Sequence, residues 1–383
     1  MMARYPISRR LLLRGGAGTA AMLLAGPRVS AQQPDDAGGT PPADPEPAPD
    51  LLRMLAFVPN GDDAAGGLLS FRVLWQGILS FANLSAAKRL YGFDNVRSPE
   101  DVLNNGQAYG YATNGCYVTD FTGSGRYAGG PWREAFGYDV LQVDREISAG
   151  QPPGYFSRME GPFDADAIIA KLTSGGYSTA SHAGIPYLTI RGDNQIQVDD
   201  ARSNLAFGRM NRVAVDAARV TAVGATATME ALLDAEAQPQ RTLADSPTFR
   251  ALAVALGDVT SMLVLPGATT VGPGSLTTDQ LADLIKDWGT LHVPELTAMG
   301  YTDSGGYQRT MHVALVYANP DDAAADAPEL VNRLAGYRSV LTRQPLIPTY
   351  ATAVASRTIT EGGKGVLIAD VALVEVPQRG GLW

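Results

Sequence analysis

Residues 211–224 read NRVAVDAARVTAVG, two short β-like runs with only Ala217 and Ala218 between them. A parallel pair needs a crossover of a dozen or more residues, so two strands this close belong to an antiparallel sheet. Runs of the same kind recur: GYFSRMEG at 154–161, IPYLTI at 185–190, SMLVLPG at 261–267, MHVALVYA at 311–318 and GVLIADVALVEV at 365–376. Several follow one another without a helix, which points to antiparallel sheets covered on one face rather than a doubly wound parallel sheet.

Helical signals lie among these runs. In GPFDADAIIAKLTSGGY, residues 161–177, Asp164 is placed to cap a first turn and Phe163 to staple onto Ile168. Ile168, Ile169 and Leu172 form an apolar face, and Gly175-Gly176 ends the helix. LTTDQLADLIKDWG, residues 276–289, carries a capping box in Thr277 and Gln280 and a staple in Leu276 and Leu281. Ser246-Pro247 and Ser98-Pro99 open two more helices, and residues 51–91 read as helix-containing with Gly92 as a stop.

The expected fold is therefore α+β, antiparallel sheets with helices packed on one face. A duplicated α+β unit is suggested by pattern: the helix ending at Gly176-Tyr177, the strands after it and the helix 226–236 run parallel to Gly300-Tyr301, the strand 311–318 and the helix 321–337. This places a first unit at 51–250 and a second at 251–383, with the boundary between 240 and 270.

The N-terminus reads as an address. Ser8-Arg9-Arg10 followed by Leu11-Leu12-Leu13-Arg14 resembles the twin-arginine signal of exported bacterial proteins. The apolar run Ala17–Gly26 is too short for a spanning helix of about 20 residues. Val29-Ser30-Ala31 suits a signal peptidase, so residues 1–31 are expected to be removed and the mature chain to start at Gln32. No cysteine stands there for a lipid anchor. Residues 32–50, QQPDDAGGTPPADPEPAPD, are proline-rich and acidic and read as a linker. The expected location is the periplasm or the extracellular space, with no stable membrane anchor after cleavage.

Composition narrows the function classes. The whole chain has 30 basic and 39 acidic residues, and residues 1–31 hold five arginines and no acid, which leaves 25 against 39 and a mature net charge of −14. That sign disfavours nucleic acid and anionic membranes, where cationic groups must displace counterions. One cysteine, Cys116, and three scattered histidines, His182, His292 and His312, supply no clustered zinc, iron–sulfur or haem ligands, so no cofactor is expected. Asp199-Asp200 and the other acidic pairs do not fit a calcium loop.

Two runs, FGYDVLQVDREISAGQPPGYFSRMEGPFDADAIIAKLTSGGY and ALVYANPDDAAADAPELVNRLAGY, resemble segments of exported bacterial proteins classed only as domains of unknown function. No site residue carries over from that resemblance. Ser85-Ala86-Ala87-Lys88 matches the S-x-x-K of serine transpeptidases and β-lactamases, yet K-T-G and S-D-N partners are missing. No G-x-S-x-G elbow occurs; Ser181, His182 and Asp193 share residue types with a triad but STASHAGIPY reads as a turn entering a strand. Arg191-Gly192-Asp193 reads as a turn.

One stretch departs towards recognition. Tyr109, Tyr111, Tyr117, Phe121, Tyr127, Trp132, Phe136 and Tyr138 are interleaved with glycines. Aromatic faces on loops commonly meet sugars and partner proteins. The expected ligand-binding residues are Trp132, Tyr127, Tyr117 and Phe121, with Trp132 exposed in a loop after Gly129-Gly130-Pro131. The expected function is a non-enzymatic binding or scaffolding role towards an envelope carbohydrate or protein; the alternative is an envelope serine hydrolase using Ser85 and Lys88.

Overall fold

Antiparallel backbone pairing builds one twelve-stranded sheet, which the computed structural model describes over residues 48–60, 77–98, 101, 130–150, 155–237, 242–267, 291–304, 308–337 and 344–374. The first seven strands are β1 (Leu79–Asn83), β2 (Arg145–Ala149), β3 (Phe156–Glu160), β4 (Ser178–His182), β5 (Ile185–Thr189), β6 (Arg212–Asp216) and β7 (Arg219–Val223). The last five are β8 (Ser261–Pro266), β9 (Leu296–Asp303), β10 (Arg309–Tyr317), β11 (Ala351–Glu361) and β12 (Lys364–Leu373). Their order across the sheet is β11-β12-β10-β9-β8-β1-β2-β3-β7-β6-β5-β4, and every described pairing is antiparallel.

The expectation of an α+β protein with antiparallel strands holds. Its helices, however, cover both faces. On one face lie α1 (Asp50–Leu55), α6 (Thr226–Ala237) and α7 (Pro247–Leu256). Their Leu51, Met54, Met229, Leu232, Phe249 and Leu252 share one core with strand residues from Phe156 and Val223 through Phe81 and Val264 to Val316 and Val366. The opposite face carries two separate cores. In one, α2 (Leu84–Leu90), α3 (Gly130–Phe136), α4 (Ala165–Ser174) and α5 (Ala201–Ala206) cover β3, β5, β6 and β7; in the other, α8 (Pro320–Ala335) covers β9, β10 and β12. Coverage on both faces is why MHVALVY in β10 is buried at seven successive positions: each side of the strand meets a helix. A last short helix, α9 (Leu346–Thr349), leads into β11.

Strand order repeats. The meander β1-β2-β3 is followed by α4, and the last strand of the unit, β7, returns to pair with β3; the meander β8-β9-β10 is followed by α8, and β12 returns to pair with β10. The two sets meet where β1 and β8 pair, Leu79 opposite Val264 and Phe81 opposite Met262. The equivalences differ from those read off the pattern: α4 corresponds to α8, whereas α6 lies on the other face, and Gly300-Tyr301 sits inside β9.

Local chemistry explains the helix ends. Asp164 Oδ1 accepts from Ala167 N at 2.9 Å, Gly175 closes α4, and Phe163, Ile168 and Leu172 are buried. Ile169 faces solvent, contrary to the apolar face assigned to it, because Ile168 and Leu172 already fill the i, i+4 stripe. Pro247 begins α7 and Gly257, at φ +62°, ends it. Gly92, at φ +75°, follows α2. The segment 51–91 also contains a strand: LSFAN forms β1 in the middle of the sheet, all five residues buried. The helix expected at 276–289 lies outside the described residues.

Candidate functional site

Trp132 is the first expected site residue to test. It is 1% exposed, on α3, with its ring centroid 4.3 Å from that of Phe136 and 5.8 Å from that of Tyr138, the latter pair edge to face. Tyr138 in turn stands edge to face with Phe163 at 5.6 Å. The expectation of an exposed loop is corrected: Gly130-Pro131 starts a helix, and Trp132, Ala135 and Phe136 fall at i, i+3 and i+4 on its buried side. Tyr117, Phe121 and Tyr127 lie outside the described residues.

Ser85 and Lys88 occupy α2 and are both engaged. Ser85 Oγ donates to Asn83 Oδ1 at 2.9 Å, and the same oxygen caps Ala86 N. Lys88 is 1% exposed; its Nζ donates to the carbonyls of Leu141 at 2.6 Å and Val143 at 2.9 Å, 4.0 Å from Asp144 Oδ1. The ammonium thus ties α2 to the turn at 140–142, a use that a buried cation requires.

Each histidine faces a carboxylate. His182 is on β4, not in a turn, and its Nε2 lies 2.8 Å from Asp234 of α6; Asp193, the other acid weighed with it, is occupied elsewhere. His292 Nδ1 lies 2.8 Å from Asp326 Oδ1, and Asp326 Oδ2 accepts from His292 N and from Tyr317 Oη. The hydrogen bond and charge of Asp326 raise His292 above the usual imidazole range. His312 stands between Asp370 and Thr302. Among the described residues no group of three or more such side chains could hold a metal, and no described helix is long and apolar enough to cross a membrane.

The segment 191–208, between β5 and β6, is held by side-chain hydrogen bonds along its length. Asp193 Oδ1 accepts from Thr226 N, Thr226 Oγ1 and Arg212 Nη2 at 2.9, 2.8 and 2.6 Å. Burial pulls this carboxyl up, but the Thr226 hydrogen bonds and the Arg212 charge outweigh it and hold Asp193 below the usual range. Arg191 pairs with Asp200 and donates to Gln197 Oε1, while Asp200 caps Arg202 N and Ser203 N at the start of α5. Asn211 Nδ2 donates to the carbonyls of Gly192 and Gln195, Asn194 N to that of Gly224, and Ser203 Oγ accepts from Gln197 N. Both charged groups of Arg191-Gly192-Asp193 are therefore engaged in bracing the loop, Arg191 half-buried and Asp193 at the surface.

Such bracing displays apolar side chains. Val198 is 75% exposed and Ile196 48%, and Phe207, also exposed, holds φ +49° and ψ +40° at the end of α5. A β-carbon at the adjacent Gly208 would come within 3.3 Å of Ile196 Cγ1, so Ile196 and the Phe207 turn are neighbours. Arg191 and Asn194 are also left-handed. A non-glycine residue in that region costs of order 1–3 kcal/mol and persists where the surroundings over-determine it. The sequence carried no aromatic cluster here to signal the site; the only cue was a run of amides and aliphatics between two strands.

No family model matches the chain, and no curated protein matches it. A solved chain titled "Structure of crystal form I of TP0453" aligns over 84% of this chain and 92% of its own at 10% identity with a TM-score of 0.33. A likeness at that level carries no argument about fold or function.

Proposed function

We propose that this is an exported envelope protein that binds a partner through the loop 191–208. The observation that supports the reading is the braced loop itself: Ile196, Val198 and Phe207 stand in solvent on a backbone fixed by Asp193, Asp200, Ser203 and Asn211. Side chains held in place before contact lose little entropy on binding, so a small apolar surface yields useful affinity. Of the two partner classes expected for the envelope, a protein surface suits this loop. Sugars stack on broad aromatic faces, whereas branched aliphatics beside one phenyl ring complement another apolar side-chain surface. The twin-arginine segment and the net charge of −14 after residue 31 support delivery across a membrane and a partner other than nucleic acid.

Co-sedimentation with isolated envelope fractions tests this. The mature protein is expected to pellet with the envelope after protease-sensitive binding. The Ile196→Ser, Val198→Ser double variant is expected to stay in the supernatant with an unchanged unfolding midpoint. Undiminished pelleting of that variant would overturn the assignment of this loop.

A further inference from the structure

Beyond the binding surface, the sheet carries a second arrangement on strands β9, β10 and β12. The apolar face under α7 runs along Ala298, Ala314 and Ile368 and then, one step further along each strand, becomes Gly300, His312 and Asp370. His312 pairs with Asp370 across β10 and β12, and with Gly300 across β10 and β9. Its Nδ1 lies 2.6 Å from Asp370 Oδ1, and its Nε2 lies 2.7 Å from the hydroxyl of Thr302. Arg357 of β11 donates through Nε to the other oxygen of Asp370 at 3.2 Å and through Nη1 to the carbonyl of Ala255 at the end of α7. His312 is buried, Thr302 half-buried and Asp370 part-exposed.

The order of these contacts fixes the chemistry. With Asp370 accepting the Nδ1 proton, His312 Nε2 is placed to accept from the Thr302 hydroxyl 2.7 Å away. A hydroxyl within hydrogen-bond reach of an imidazole that a carboxylate orients is the arrangement of an activated nucleophile.

We infer that Thr302, His312 and Asp370 form an acyl-transfer centre that accepts carboxylic esters. Thr302 Oγ1 forms a bond to the ester carbonyl carbon as its proton passes to His312 Nε2. The carbon–oxygen bond to the leaving group then breaks, and His312 Nε2 returns that proton to the departing alcohol. Asp370 stays ionised throughout and holds the imidazole. Acyl-Thr302 and a free alcohol are the products, and no oxidant or metal enters. This centre departs from the non-enzymatic expectation and is independent of the loop 191–208, from which β8, β1, β2, β3 and β7 separate it.

The test is covalent labelling of the full-length mature protein with a fluorophosphonate probe, in which the Thr302 oxygen displaces fluoride from phosphorus, read by intact mass and peptide mapping. One adduct on the Thr302 peptide is expected in the wild type and in Thr302→Ser, and none in Thr302→Val. His312→Gln and Asp370→Asn should slow labelling by about 100-fold, the contribution of a positioned base. The Ile169→Ser variant, at an exposed position of α4, should label at the wild-type rate. An unmodified Thr302 in the folded wild type, an adduct on another residue alone, or an equal rate in a folded His312→Gln protein would each overturn the assignment.

Discussion

Replacing Trp132 with alanine removes the largest buried side chain of the core that α3, α4 and α5 share. Truncation of a buried tryptophan costs about 3–5 kcal/mol, the lost transfer energy plus the cavity it leaves. Two aromatic partners, Phe136 and Tyr138, lose their ring contacts as well, at about 0.5–1.5 kcal/mol for each pair, which places the change in the upper half of that range. With a urea dependence of about 3 kcal/mol/M, a loss of about 4 kcal/mol lowers the unfolding midpoint by roughly 1.3 M at unchanged slope. Urea titration followed by far-UV circular dichroism measures it. A shift under about 0.3 M at the same slope would show that Trp132 is not packed in this core, and the reading of Gly130-Pro131 as a helix start would fall with it.

Phe163→Ala should destabilise by about 1–3 kcal/mol, since Phe163 is buried against Tyr138, while Asp166→Ala, in the first turn of α4, should cost far less; comparable urea midpoints for the two would refute the staple. Lys88→Ala leaves the carbonyls of Leu141 and Val143 without their donor and should cost at least about 2 kcal/mol, whereas Ser85→Ala should lie within about 1 kcal/mol of wild type, both by thermal unfolding. Asp193 is held below its ordinary value of 3.8, so its stabilising contribution is present above that pH and is lost as pH falls through the folded value. The stability difference between wild type and Asp193→Asn should accordingly be open at pH 7 and shrink as pH falls below 3.8, checked by urea titration across that range.

How far the amino-acid sequence revealed the fold depends on where each strand sits. β10 and β12 are buried on both sides, so their apolar residues run on without interruption and mark them as strands. β4 and β11 form the two edges of the sheet; their serines and threonines face solvent, and nothing in STASH or ATAVASRTITE distinguishes an edge strand from a loop. β1 was hidden for the opposite reason, because LSFAN is apolar and abuts the helix that begins at Leu84. Coverage of both faces was likewise illegible, since it depends on which side of the sheet each helix crosses.

The candidate site was less legible still. Gly-Gly-Pro punctuates both loops and helix starts, so the sequence around Trp132 does not distinguish an exposed ring from one packed on Phe136 and Tyr138. The braces of the loop 191–208 reach to Thr226 and Gly224 beyond the next two strands, and a charged tripeptide whose charges are paired looks the same in sequence as one whose charges stand in solvent. Thr302, His312 and Asp370 meet only through the registers of β9, β10 and β12, with no local motif.

The most direct measurement of the central proposal is photo-crosslinking from a single site on the mature protein mixed with isolated envelope. A photoreactive side chain at Val198, the most exposed of the loop's three large apolar residues Ile196, Val198 and Phe207, is expected to give a discrete protein adduct. The same group at Val254, an exposed residue of α7, is expected to give none. Equal adducts from both positions, or adducts from Val254 alone, would contradict a binding role for the loop 191–208.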